Sequence, residues 1–157
     1  MRLFAWSALL WFLLDQASKY AIVHGMNLAE RGAIDVWPPF LTFRMGWNTG
    51  INFGLFSNAA DAMRWFLVGL AVVISLWLIH WARTGLTHPG AHLAAGAIVG
   101  GALGNALDRV IYGAVADVLN MSCCGIVNPF TFNVADIGIC AGALGVFIFG
   151  NHKKRTA

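Results

Sequence analysis

Charge is what this sequence has least of. Only 11% of its 157 residues are Asp, Glu, Lys or Arg, while 59% are hydrophobic. A soluble domain carries about a quarter charged residues, so a soluble globular class is excluded. Cysteine is sparse and poorly spaced. Cys123, Cys124 and Cys140 are odd in number and form no C-x-x-C or Cys/His pattern, which points away from a disulfide framework or a zinc site. Adjacent cysteines bridge only with strain, so Cys123 and Cys124 read as small loop residues. The chain has no G-x-S-x-G and no H-E-x-x-H, and its five histidines are scattered. The net charge of +3 comes partly from His152-Lys153-Lys154-Arg155 at the tail. With no basic stripe interleaved with aromatics, it implies no nucleic-acid partner.

What the chain does have is long apolar runs. A membrane span needs about 20 mostly apolar residues. Four segments approach this, at about 3–23, 65–81, 92–111 and 135–150. Each must be helical, because lipid cannot satisfy exposed backbone groups. The expected fold class is therefore mostly α and integral to the membrane, with one domain over 1–157. The first segment imitates a signal peptide, but Asp15 and Lys19 stand where small cleavage-site residues belong, so it reads as a retained span. The third segment carries Gly96-x-x-x-Gly100 and Gly100-x-x-x-Gly104, which permit close helix packing.

An outer loop covers about 24–64. Within it, Leu41–Asn48 alternates, with Leu41, Phe43, Met45 and Trp47 on one face and Thr42, Arg44 and Asn48 on the other. A small β-structure on the membrane surface is expected there. Pro38-Pro39 argues against an earlier strand, and Ile126–Asn133 is a candidate second extended piece. Arg2, Arg83, Lys153, Lys154 and Arg155 would share one side of a four-span chain. That side is then cytoplasmic, with both termini in it and the β-structure outside.

This topology gathers the polar residues. Asp15, Lys19, Asn105, Asp108, Arg109, Asp117, Asn133, Asp136 and the loop residue Asn48 all fall near the outer interface. Asp15 and Lys19 are at i and i+4, acid first, the favoured spacing for a helical ion pair. The pair reads as structural, or Lys19 snorkels outward. Asn105, Asp108 and Arg109 share one helix face and read as a supporting shell, with Asp108 and Arg109 free to neutralise each other or their neighbours. Asp117 and Asp136 have no adjacent Lys or Arg. Either each caps a helix or meets solvent, or they form a pair. Two close carboxylates in a low dielectric share a proton, which supplies a general acid and a general base for peptide hydrolysis without a covalent intermediate. Two alternatives from other classes stand beside this one. Intramembrane charges also suit an ion or proton carrier, and Lys19 with Arg109 would suit a lipid-binding scaffold.

Five motifs in order resemble lipoprotein signal peptidase, the type II signal peptidase family of bacterial membranes. They are Asp15-Gln16-Ala17-Ser18-Lys19, Asn48-Thr49-Gly50-Ile51-Asn52-Phe53-Gly54, Gly100 through Arg109, Gly113-Ala114-Val115-Ala116-Asp117, and Phe132-Asn133-Val134-Ala135-Asp136. The resemblance implies an aspartic endopeptidase with Asp117 and Asp136 as its dyad. Asn48, Gly50, Asn105, Arg109 and Asn133 would line or hold the site, with Asp15, Lys19 and Asp108 in support. The implied substrate is a prolipoprotein cleaved just before its diacylglyceryl-modified cysteine. The implied location is the bacterial inner membrane, and globomycin the inhibitor. Neither a metal nor another cofactor is required, and a monomer in contact with membrane lipid is expected. The chain departs from the family pattern at Val118, often a phenylalanine, and at Ile51-Asn52. These departures bear on substrate preference.

Overall fold

The computed structural model describes residues 1–50, 57–125 and 128–150. Its chain order is α1 (Arg2–Tyr20), a π-helical turn (Ala21–Gly25), α2 (Leu28–Arg31), β1 (Ala33–Trp37), β2 (Leu41–Asn48), α3 (Ser57–Thr84), α4 (Pro89–Tyr112), β3 (Val115–Met121) and α5 (Val134–Phe149). The departures at Ile51-Asn52 and the basic tail lie outside the described residues.

Helix α4 is central, packing against α1, α3 and α5. Its start is marked by Pro89 at the first turn, where a missing N–H costs nothing, and by His88, whose Nδ1 accepts from Gly90 N at 3.0 Å. Its small residues allow the approach. A Cβ on Gly96 would lie 2.8 Å from Ser7 Cβ, and one on Gly100 would lie 3.0 Å from Trp11 Cβ. The helix ends at Gly113, whose φ of +81° favours glycine.

One apolar cluster joins Phe4 to Leu78, Ala82 and Leu86 and to Ala91, Ala95 and Val99 of α4. Elsewhere the helices turn large apolar side chains outward. Trp6, Trp65, Leu76, Leu144 and Phe147 are exposed, the last at 85%. That inverts the soluble pattern and suits a lipid surround. The Asp61–Thr84 stretch of α3 and the whole of α4 are each long and apolar enough to cross a membrane, and α5 is a shorter apolar helix.

The three strands form an antiparallel sheet in the order β1-β2-β3. Strand β2 occupies the expected Leu41–Asn48, with a bulge between Phe43 and Gly46. Three details differ from the sequence reading. A strand, β1, does precede Pro38-Pro39, and the prolines turn the chain rather than exclude it. Ile126–Asn133 supplies no strand among its described residues, only a bridge from Phe132 to Leu119. The partner of β2 is instead β3, which carries Asp117. Four of its first residues, Val115 to Val118, are buried, so it lacks the in–out alternation that marks a half-exposed strand. A second core, Ile22, Val23, Leu28, Ala116 and Val118, seats the sheet on the turn after α1.

Candidate active site

Four elements converge where α1, α4, α5 and the sheet meet. In α1, one helical turn separates Asp15 from Lys19, so both face α4. Lys19 Nζ lies 2.8 Å from Asp15 Oδ2 and 2.7 Å from Asp108 Oδ2, and it donates to Asn105 Oδ1 at 3.1 Å. Its three protons thus have three acceptors. Asp15 Oδ1 accepts from Ala135 N at 2.9 Å, at the start of α5, and Asp108 Oδ2 accepts from Ala116 N at 3.2 Å, in β3. Gln16 Nε2 reaches Asp15 Oδ2 at 3.1 Å and Asp108 Oδ1 at 3.0 Å. Both oxygens of each carboxylate accept from N–H donors. A Cβ on Gly104 would lie 2.6 Å from Asp15 Oδ2, so a larger residue there would push the pair apart.

The helical ion pair expected from spacing is therefore one limb of a buried cluster. Asp108 neutralises Lys19 rather than its sequence neighbour Arg109. The role of Gln16 was missed in the sequence, where only its polarity inside an apolar segment signals it. Arg109 Nη1 donates back to Asn105 O at 3.2 Å, and its buried Nε has no partner among the described residues.

Asn105 links this cluster to the two remaining aspartates. Its Nδ2 donates to Asp136 Oδ1 at 3.0 Å, while its Oδ1 also accepts from Asn133 Nδ2 at 3.2 Å. Asn133 Nδ2 donates in turn to Asp117 Oδ1 at 2.6 Å. Asn133 caps α5: its Oδ1 accepts from Asp136 N at 2.9 Å, and Asp136 Oδ2 accepts from Asn133 N at 3.2 Å. This reciprocal box fixes both side chains at the first turn of α5. Capping is thus part of what Asp136 does, yet only one of its oxygens is engaged by it. From β2, Asn48 Nδ2 donates to Asp117 Oδ2 at 3.1 Å. Gly50 orients that amide, because its N–H donates to Asn48 Oδ1 at 2.9 Å. Gly50 has a φ of +96°, a conformation that favours glycine.

All ten residues singled out in the sequence belong to this one network or touch it. Among the described residues, Asp117 and Asp136 accept hydrogen bonds from neutral amides, not from a Lys or Arg. Burial pushes the Asp117 carboxyl up to about 6, with the negative charge of Asp136 adding to the rise against the bonds from Asn48 and Asn133. An acid held near neutrality beside a second carboxylate can exchange a proton with water or an amide. Val118 is fully buried in the second core, beside Ala116 and away from this face. Among the described residues no group of three His, Cys, Asp or Glu side chains could hold a metal ion. Cys123, Cys124 and Cys140 are free and exposed.

A family model described as signal peptidase (SPase) II matches residues 7–150. The chain is 42% identical to the lipoprotein signal peptidase of Methylobacterium sp. (strain 4-46), over 87% of this chain and 81% of that one. It is 34% identical to the lipoprotein signal peptidase of Vibrio parahaemolyticus, over 97% and 89% of the two chains. Two solved bacterial membrane enzymes share its fold. One has a TM-score of 0.75 at 25% identity over 98% of this chain and 93% of that chain. The other has a TM-score of 0.77 at 26% identity over 92% and 90%.

Proposed function

Because the chain belongs to the signal peptidase II family, we propose that it is an aspartic endopeptidase acting on prolipoproteins. It hydrolyses the peptide bond before the diacylglyceryl-modified cysteine and releases the signal peptide. The carrying observation is that Asp117 and Asp136 are bound to one pair of asparagines, Asn105 and Asn133. One carboxylate takes a proton from water while the other, protonated, polarises the scissile carbonyl and then protonates the leaving amine. The acid and base roles are assigned to the pair rather than to either residue. Asn48, Asn105 and Asn133 hold the carboxylates, and Arg109, whose charge acts on both, steadies the negative charge of the pair. Asp15, Lys19 and Asp108 anchor the helices that present them. A peptidase family replaces the carrier and lipid-scaffold alternatives.

The single domain of 1–157 lies in the bacterial inner membrane as a monomer. Helices α1, α3, α4 and α5 span it, with both termini cytoplasmic and the sheet outside. Exposed apolar side chains on all four support this reading. In that arrangement the acyl chains of the substrate stay in lipid while its extended peptide reaches the dyad, and globomycin-like inhibitors compete there. The test is cleavage of a purified diacylglyceryl-prolipoprotein in detergent by wild type, Asp117→Asn and Asp136→Asn. Wild type cleaves before the lipidated cysteine and both folded variants do not. Near-wild-type turnover by either variant would remove the two-aspartate mechanism.

A further inference from the structure

A cavity of about 450 Å³ lies behind the sheet, between the ends of α1 and α4. Its size falls in the range of small-molecule sites, roughly 300–1,000 Å³. It is separate from the dyad. Consecutive strand residues point to opposite faces, so Ala116, which lines the cavity, and Asp117, which holds the dyad, look in opposite directions. Trp47, paired with Ala116 across the ladder, lines the cavity as well.

The walls are aromatic. Trp47 and Tyr112 have ring centroids 5.7 Å apart, and Tyr20 and His24 have theirs 5.3 Å apart. The floor contains Lys19 and Asp108, and Glu30 lines the side formed by α2. Lys19 offers no free donor, since its protons are taken by Asp15, Asp108 and Asn105. Lys19 is paired with Asp108, which leaves Glu30 as the lining carboxylate without a cationic partner among the described residues. Among the described residues no further Lys or Arg lines the space. An aromatic box with an unpaired carboxylate at its side and no spare Lys or Arg among the described residues attracts a cation and repels an anion.

The geometry points to a site for an alkylammonium group, supplied by the ethanolamine headgroup of a zwitterionic phospholipid. The lipid source follows from place. The mouth aromatics Tyr20, Trp47 and Tyr112 are about half-exposed or more; Tyr20 and Tyr112 end α1 and α4, whose exposed apolar side chains suit lipid, and Trp47 stands beside them on β2. Tyr and Trp favour that headgroup level. The ammonium enters toward Glu30 and Asp108, and the phosphate stays outside, because no free cation within awaits it. This rests on the outward placement of these helix ends, and it goes beyond the peptidase reading.

The test is native mass spectrometry of the full chain in detergent. The protein is mixed with equal amounts of phosphatidylethanolamine and phosphatidylglycerol of identical acyl chains. Wild type retains phosphatidylethanolamine in preference by roughly three- to tenfold. Tyr112→Leu and Glu30→Gln each bring the preference toward unity. Glu30 lies exposed on a four-residue helix, so its variant keeps the fold and the test stands even if Tyr112→Leu does not fold. Equal retention by wild type, or an undiminished preference in Glu30→Gln, would overturn the site. Displacement of the lipid by free ethanolamine at the same concentration would assign the pocket to a free amine and overturn the lipid source. The readout is mass alone, so it fails or succeeds independently of cleavage.

Discussion

Two carboxylate pairs share Asn105, and their surroundings are opposite. Asp15 and Asp108 flank Lys19 at 2.8 and 2.7 Å, and N–H donors meet both oxygens of each. Asp117 and Asp136 are held by the amides of Asn48, Asn105 and Asn133 and by one backbone N–H, with no cation among the described residues in salt-bridge contact. A buried carboxylate beside an ammonium is fixed in its charge, because protonation would strand the cation. A buried carboxylate among neutral amides keeps its position while its proton remains exchangeable. The first arrangement ties α1, α4, α5 and β3 together. The second, in the proposed function, offers acid–base chemistry on the scaffold so made.

The largest expected effect strikes the amide-held pair. Asp117→Asn or Asp136→Asn lowers the cleavage rate by roughly 10²–10⁴-fold while the unfolding temperature in detergent falls in neither variant. A collapse of stability in either variant would show that this pair is also structural. Lys19→Met breaks the contrast from the other side. It leaves Asp15 and Asp108 as buried charges without their cation, at a cost of about 3–5 kcal/mol. Thermal unfolding in detergent checks this, and an unchanged midpoint would mean that the cluster does not anchor the helices.

The pH dependence sharpens the comparison. The folded-state pKa of Asp117 is raised from 3.8 to about 6, so the folded protein binds more protons than the unfolded chain between these values. The stability this contributes is fully present below pH 3.8 and is lost as pH rises through about 6. At 1.36 kcal/mol per pKa unit the loss is about 3 kcal/mol. Wild type should therefore lose stability relative to Asp117→Asn between pH 4 and 6.5. Parallel stability curves for the two proteins would contradict the raised pKa. The smallest effect is expected at the exposed thiols. Replacing Cys123 and Cys124 together by serine leaves cleavage nearly unchanged, and a large loss would give the two thiols a role that their exposure does not suggest.

Much of this site could be read from the linear chain, for reasons that are local. Helical spacing joined Asp15 to Lys19 and set Asn105, Asp108 and Arg109 on one face. The alternation of Leu41–Asn48 marked β2 to its ends. Less could be read where a partner lies far along the chain. β3 escaped because burial on both faces erases the period-2 signal. Gln16 escaped because its acceptors on Asp108 and Gly104 are about ninety residues away.

The sequence by itself determined the scarcity of charge, the apolar helices, the β2 strand and the family to which the chain belongs. Each of these depends on composition or on spacing within one element. Only the tertiary structure decided that Lys19 is shared by two carboxylates and that Asn105 and Asn133 bridge Asp117 and Asp136. It alone decided that Val118 turns into the core and that an aromatic cavity opens behind the sheet. The physical reason is that hydrogen bonds and ion pairs act over about 3 Å, a range at which residues distant in sequence meet only after packing has set the distance between their elements.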